Sequence, residues 1–163
     1  MAAFNPYDRK PSRNANQTVT QQYGANPQPT PAQAAGAIEL PVRYVDAAEQ
    51  AITKMNERKM ADRYFKPITS TKLRKLFGLF IDLYNEIKRS DAEMLTEDQL
   101  QVLTSARVRI VYECGREESV KAFVRDAKLL EYLKSVGSSR KKLVDYYNYF
   151  EALVAYHRYY FGE

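Results

Sequence analysis

From Ile38 to Phe161 the apolar residues recur every three or four positions and nowhere alternate with a period of two, a pattern of helices without strands. After Pro41, Val45, Ala48, Ile52 and Met55 predict a first helix, which Pro67 ends. The run ITST then offers Thr69 or Ser70 as an N-cap for a second helix. Leu73, Leu76, Phe77, Phe80, Leu83, Tyr84 and Ile87 form its apolar face, ending near Arg89. A third begins at Thr96, whose spacing to Gln99 is that of a capping box. Its expected buried stripe is Leu100, Leu103, Ile110, Val111 and Cys114, with Gly115 near its end. A fourth covers about 119–135 through Val120, Phe123, Val124, Ala127, Leu130 and Leu133, with Gly137 as its stop. The last runs from about Ser139 to Tyr160. The pattern predicts an all-α fold, a five-helix bundle over 37–163.

The last helix carries two adjacent apolar rows. Leu143, Tyr147, Phe150, Val154, His157 and Phe161 make one, and Tyr146, Tyr149, Leu153, Tyr156 and Tyr160 the other. Such a stripe is wider than one helical neighbour covers. The helix is therefore either central in the bundle or half-committed to another protein, and tyrosine suits both.

Upstream of residue 37 the pattern disappears. Residues 1–36 hold five of the seven prolines and five glutamines, with no Leu or Ile and one Val. That composition buries too little apolar surface to offset about 1–2 kcal/mol per residue of backbone ordering, so a disordered Pro/Gln-rich tail is expected. Its charges, Arg9, Lys10 and Arg13 against Asp8, make it mildly basic.

Candidate chemistry is sparse. One cysteine, Cys114, leaves no internal disulfide and no multi-thiolate metal site. One histidine, His157, removes most metal and His-dependent catalytic sets, and its six-residue spacing from Glu151 does not fit a di-iron pair. There is no phosphate-cradling glycine loop and no nucleophile elbow. The acid pairs Glu97–Asp98 and Glu117–Glu118 fall at helix starts, where they complement the dipole. Composition argues against an enzyme, and no cofactor or metal is expected. No stretch approaches the roughly 18–20 apolar residues of a membrane span, and the N-terminus lacks an apolar signal core.

Charge is more informative. The chain has 25 Lys and Arg against 20 Asp and Glu, a net of +5. Between Lys54 and Lys75 lie eight basic residues, including Lys59, Arg63, Lys72, Arg74 and Lys75, offset only by Glu57 and Asp62. On the third helix Arg109, Tyr112 and Arg116 share a face. Cations interleaved with an aromatic ring bind phosphates by counterion release and can stack an unpaired base.

Three segments carry a family resemblance: PITSTKLRKLF at 67–77, RVRIVYECGRE at 107–117 and YFEALVAYHRYY at 149–160. In this order and spacing they resemble the small helical subunit of type III-A CRISPR interference complexes, the Csm effector. The matching positions are Thr69, Ser70, Leu73, Arg74 and Lys75, then Tyr112, Gly115 and Arg116, then Glu151, Ala152, Ala155, Tyr156 and His157. The resemblance covers about residues 40–163; Val111, Glu113 and Cys114 depart from the small residues commoner there. It implies a non-catalytic RNA-binding scaffold in the prokaryotic cytoplasm that lines the target-RNA channel. The implied partners are guide and target RNA, the backbone and large subunits, and further copies of itself.

Together these readings nominate Lys72, Arg74, Lys75, Arg109 and Arg116 as RNA-facing, with Lys59 and Arg63 beside them. Arg74 has an alternative role as a salt bridge within the bundle, and Arg116 as a cap on the third helix's carbonyls. The competing class is a helical protein–protein adaptor with a merely solvated basic face. A DNA-binding regulator is disfavoured, because Pro67 and the Thr/Ser run interrupt the approach to a recognition helix.

Overall fold

Among the described residues the apolar rows become seven helices: α1 (Tyr44–Ala61), α2 (Ser70–Gly78), α3 (Ile81–Ile87), α4 (Glu97–Arg116), α5 (Glu118–Asp126), α6 (Leu129–Val136) and α7 (Arg140–Phe161). The structure, a computed structural model, describes residues 37–162; the tail expected over 1–36 lies outside the described residues. Within them the fold is an all-α bundle without strands. Seven helices stand where five were predicted because the second and fourth predicted helices are each broken once.

The first break separates α2 from α3. Leu79 and Phe80 donate to the carbonyls of Leu76 and Phe77, three residues back rather than four, at 3.2 and 3.0 Å. Phe80 adopts φ −110° and ψ −10°, at the edge of helical space. Gly78, a poor helix former, precedes it. The tightened turn delivers Phe80 into the core, 5.3 Å from the Tyr146 ring and 5.9 Å from that of Phe150.

The second break is at Lys128, the one non-glycine residue with positive φ (51°) among the described residues. Its left-handed turn ends α5, with the Lys128 N–H on the Arg125 carbonyl at 3.1 Å. The Tyr149 hydroxyl donates to the Ala127 carbonyl beside it at 2.7 Å, satisfying a helix-end acceptor that would otherwise be buried unpaired.

Helix α7 is the central element. It packs against α1, α2, α3 and α6, so its wide stripe is shared among four neighbours. Leu143, Tyr146, Tyr147, Tyr149, Phe150, Leu153 and His157 are buried along it, while Tyr159 near its end is exposed. Phe77, Phe80, Tyr146, Tyr147 and Phe150 form a tilted and edge-to-face aromatic cluster, a preferred geometry for ring packing.

Helix α4 packs on α3 and α5. The capping box expected at its start is present: Gln99 N–H on Thr96 Oγ1 at 3.3 Å and Thr96 N–H on Gln99 Oε1 at 3.0 Å. Its buried face is Gln99, Leu103, Ala106 and Ile110. Val111, expected in that stripe, is 51% exposed, because one step beyond Ile110 turns it by about 100° onto the outer side. Leu100 and Cys114 are half-buried.

Tyr146 and Tyr149 give a matched test of buried phenols. Burial pushes both hydroxyls above the ordinary tyrosine range. Tyr149 is hydrogen-bonded, whereas the Tyr146 hydroxyl has no partner among the described residues. Tyr149→Phe should cost about 1–1.5 kcal/mol by orphaning the Ala127 carbonyl, while Tyr146→Phe is neutral or stabilising by up to about 1 kcal/mol. Urea unfolding of the two variants checks this, and equal losses would contradict it.

Candidate nucleic-acid interface

Lys72 and Lys75 stand about one turn apart on α2, so they project from neighbouring positions of one face. The helix starts cleanly because Thr69 caps it, its hydroxyl accepting from the Lys72 N–H at 3.4 Å. Ser70 and Ile68 behind the cap are buried. His157 of α7 fastens this start: Nε2 donates to the Ile68 carbonyl at 2.8 Å, and Nδ1 lies 3.4 Å from the Ser70 hydroxyl. A carbonyl only accepts, so Nε2 carries a proton, and in the neutral ring Nδ1 accepts from Ser70. His157 is thus a buried, hydrogen-bonded residue that positions α2.

Arg109, Tyr112, Glu113 and Arg116 lie on α4 at helical spacings of three and four. Tyr112 is 53% exposed and flanked by both guanidiniums, whose carbons lie 5.4 and 5.6 Å from the ring centroid. Two acidic residues then join α4 to α2. Glu113 Oε1 lies 3.6 Å from Lys75 Nζ and 3.3 Å from Arg109 Nε, and Oε2 lies 3.7 Å from an Arg116 nitrogen. Glu117, between α4 and α5, accepts from Lys72 and, at 2.7 Å, from the Ser119 hydroxyl. Those two hydrogen bonds, Lys72 first, hold the Glu117 carboxyl below its usual range.

The Glu113 side chain is only 13% exposed, and its Oε1 is buried without a hydrogen bond of good geometry. At 3.3–3.7 Å the three contacts to it are electrostatic pairings rather than directed hydrogen bonds. A cavity of about 220 Å³ opens among Lys72, Lys75, Arg116, Glu113 and Glu117. Four cations and two carboxylates leave this face with a net charge of +2.

Of the seven residues nominated from the sequence, Lys72, Lys75, Arg109 and Arg116 are brought together. Arg74 is exposed on α2 with no ion pair among the described residues, so the salt bridge considered for it does not form. Arg116 pairs with Glu113; the carbonyl of Glu113 is met instead by the Glu117 N–H at 3.1 Å. Lys59 sits over the Phe161 ring at 5.0 Å and Arg63 over Tyr64 at 5.0 Å, and no ion pair or ring contact links either to the four. Glu113 and Glu117 are the members that sequence reasoning missed. The spacings Arg109–Glu113 and Glu113–Arg116 were visible signals of the first; Lys72–Glu117, 45 residues apart, had none.

Among the described residues no group of three or more His, Cys, Asp or Glu is placed to hold a metal ion. No helix there is long and apolar enough to cross a membrane.

The described residues thus form a helical bundle that presents one cationic, aromatic-centred face. The family model described as Csm2 type III-A matches residues 47–163. The CRISPR system Cms protein Csm2 of Streptococcus thermophilus is 36% identical over 127 residues, covering 78% of this chain and 98% of that protein. The protein of the same description from Mycobacterium tuberculosis H37Rv is 44% identical over 92 residues, 56% of this chain and 74% of the relative. That of Enterococcus italicus is 36% identical over 99 residues, 59% and 70% of the two chains. The chain belongs to the Csm2 type III-A family, and so is a small subunit of a type III-A CRISPR Csm complex.

Proposed function

We propose that the face built by Lys72, Lys75, Arg109 and Arg116 around Tyr112 binds RNA phosphates, and that the subunit lines the target-RNA channel without catalysing a reaction. The observation that carries this reading is convergence: cations from two helices, distant in sequence, meet on one face beside an exposed ring. Arg74, exposed elsewhere on α2, and Lys59 and Arg63 offer further positive charge. Guide pairing reads the sequence of the target, so contacts here go to phosphate and sugar. The partners are guide and target RNA, the backbone and large subunits, and further copies of the chain, in the cytoplasm of a prokaryote. Residues 37–163 act as one helical domain, with 1–36 as a tail.

The purified protein should bind single-stranded RNA weakly, without base preference and with strong salt dependence. Each neutralised phosphate contributes about 0.7 to the slope of log affinity against log salt, so four contacts give about 3. Between about 50 and 200 mM salt, affinity then falls about 50-fold. Fluorescence anisotropy with labelled homopolymers measures both quantities. A flat salt response would favour the alternative, a protein–protein adaptor whose basic face is only solvated. Val102, Val108 and Val111, exposed along α4, are the feature that alternative would use.

A further inference from the structure

We propose that Glu113 and Glu117 are internal stand-ins for RNA phosphates: they occupy the interface cations in the free subunit and are displaced when a strand binds. This rests on the reading of the face as RNA-binding. Glu113 occupies the place a phosphate would take, with Lys75, Arg109 and Arg116 all within 3.7 Å of its oxygens. Glu117 does the same for Lys72. All four cations of the interface are therefore already paired with one of these two carboxylates.

The geometry favours exchange. The Glu113 carboxylate is recessed at 13% exposure, whereas its three partners are between 49% and 60% exposed on long side chains. The carboxylate stays on its helix while the head groups can swing outward to a strand. Glu117 sits at an extended residue between two helices (φ −148°), where Ser119 also donates to it and remains as a partner after Lys72 leaves. Each pair broken weighs against binding, by up to about fivefold where both ends are exposed, as for Lys72 and Glu117, and by more at recessed Glu113, so removing the carboxylate removes that cost. A polyanion adds counterion release, which a single carboxylate cannot supply.

Exchange has a signature of definite sign. Were the carboxylates only holding the cations in place, neutralising them would weaken RNA binding. As phosphate stand-ins they compete, and neutralising them tightens it. The strand meets the same four cations in wild type and variant, so the salt slope stays at about 3, and the tightening equals what breaking the pairs had cost, up to about fivefold for an exposed pair.

The test uses the full-length chain and a labelled single-stranded oligouridylate, titrated from low to high salt. Glu113→Gln and Glu117→Gln are compared with Glu118→Gln. The control has the same charge change one residue away, at a side chain that pairs with Lys121 and not with the cluster. The expected result at about 50 mM salt is affinity about fivefold tighter for the first two with a slope still about 3, and a change of less than twofold for the control. Affinity unchanged or weakened in both, or tightened no more than in the control, overturns the proposal. If wild-type binding is itself insensitive to salt, the RNA reading falls first and the exchange with it. Helical content by circular dichroism is read in parallel; should Glu113→Gln unfold, the surface variant Glu117→Gln decides alone.

Discussion

Replacing Lys72, Lys75, Arg109 and Arg116 together by Ala is expected to remove most of the salt-dependent RNA binding while the bundle stays folded. The four residues account for about 3 units of salt slope, equivalent to about 4,000-fold in affinity between about 1 M and about 50 mM salt. All four side chains are between 43% and 60% exposed, and substitutions at such positions usually change stability by about 0.5 kcal/mol or less. One feature of the site raises that cost. The quadruple variant strips Glu113 of every cation that faces it, leaving a recessed carboxylate unpaired. Adding Glu113→Gln to the four should restore the lost stability without restoring RNA binding. In the assembled complex the slope change will be smaller, because other subunits also hold the duplex. Measuring assembly, helical content and target-RNA affinity at several salt concentrations separates the effects. Unchanged affinity and slope would reduce these residues to a solvated face.

The parts of this architecture legible in the sequence are those whose cause is local. Thr96 and Gln99 announce a helix start because both halves of the capping box lie within four residues. Gly137, with φ of 55°, stops α6 where a glycine is needed. The double apolar row of α7 left two readings, a central helix or one half-committed to another protein, and its four helical neighbours fit the first. The two breaks were not legible, because tertiary contacts decide them. Lys128 carries no turn signal; its left-handed backbone stands beside a carbonyl tied down by Tyr149 from 22 residues away. Phe80 lies in an unbroken helical spacing, and the turn before it tightens to seat the ring against Tyr146.

The candidate interface divides along the same line. Arg109, Tyr112 and Arg116 share a face through helical geometry alone, and Lys72 and Lys75 likewise. That the two sets meet depends on how α2 approaches the end of α4, which no local pattern encodes. Lys59 and Arg63 show the opposite error of scale. They raise the charge density along the chain, yet in space they sit on the rings of Phe161 and Tyr64. Glu113 stood out in the sequence only as a departure from small residues. In the fold it is the residue on which three of the four cations converge.

The second large effect is expected at His157. This residue is 2% exposed, packs with its ring tilted against Phe161 at 4.8 Å and satisfies two groups at the start of α2, the Ile68 carbonyl and the Ser70 hydroxyl. His157→Leu roughly preserves volume and apolar contact but offers neither a donor nor an acceptor. It leaves both partners buried without their bond to α7, at about 1–3 kcal/mol for each orphaned group. Allowing for partial relaxation, the loss should be about 2–4 kcal/mol, a fall in Tm of about 10 °C for a domain of this size. Ser70→Ala removes only the longer of the two contacts and should cost about 1 kcal/mol. The consequence for RNA follows from position: the Thr69 cap and Lys72 come directly after the fastened residues. Loosening this start should therefore reduce RNA affinity in His157→Leu at temperatures where the bundle is still folded. Denaturation monitored at 222 nm and RNA titration at low temperature measure the two effects on the same samples. Wild-type stability in His157→Leu would mean that the packing of α7 alone, without the histidine's hydrogen bonds, is enough to place α2.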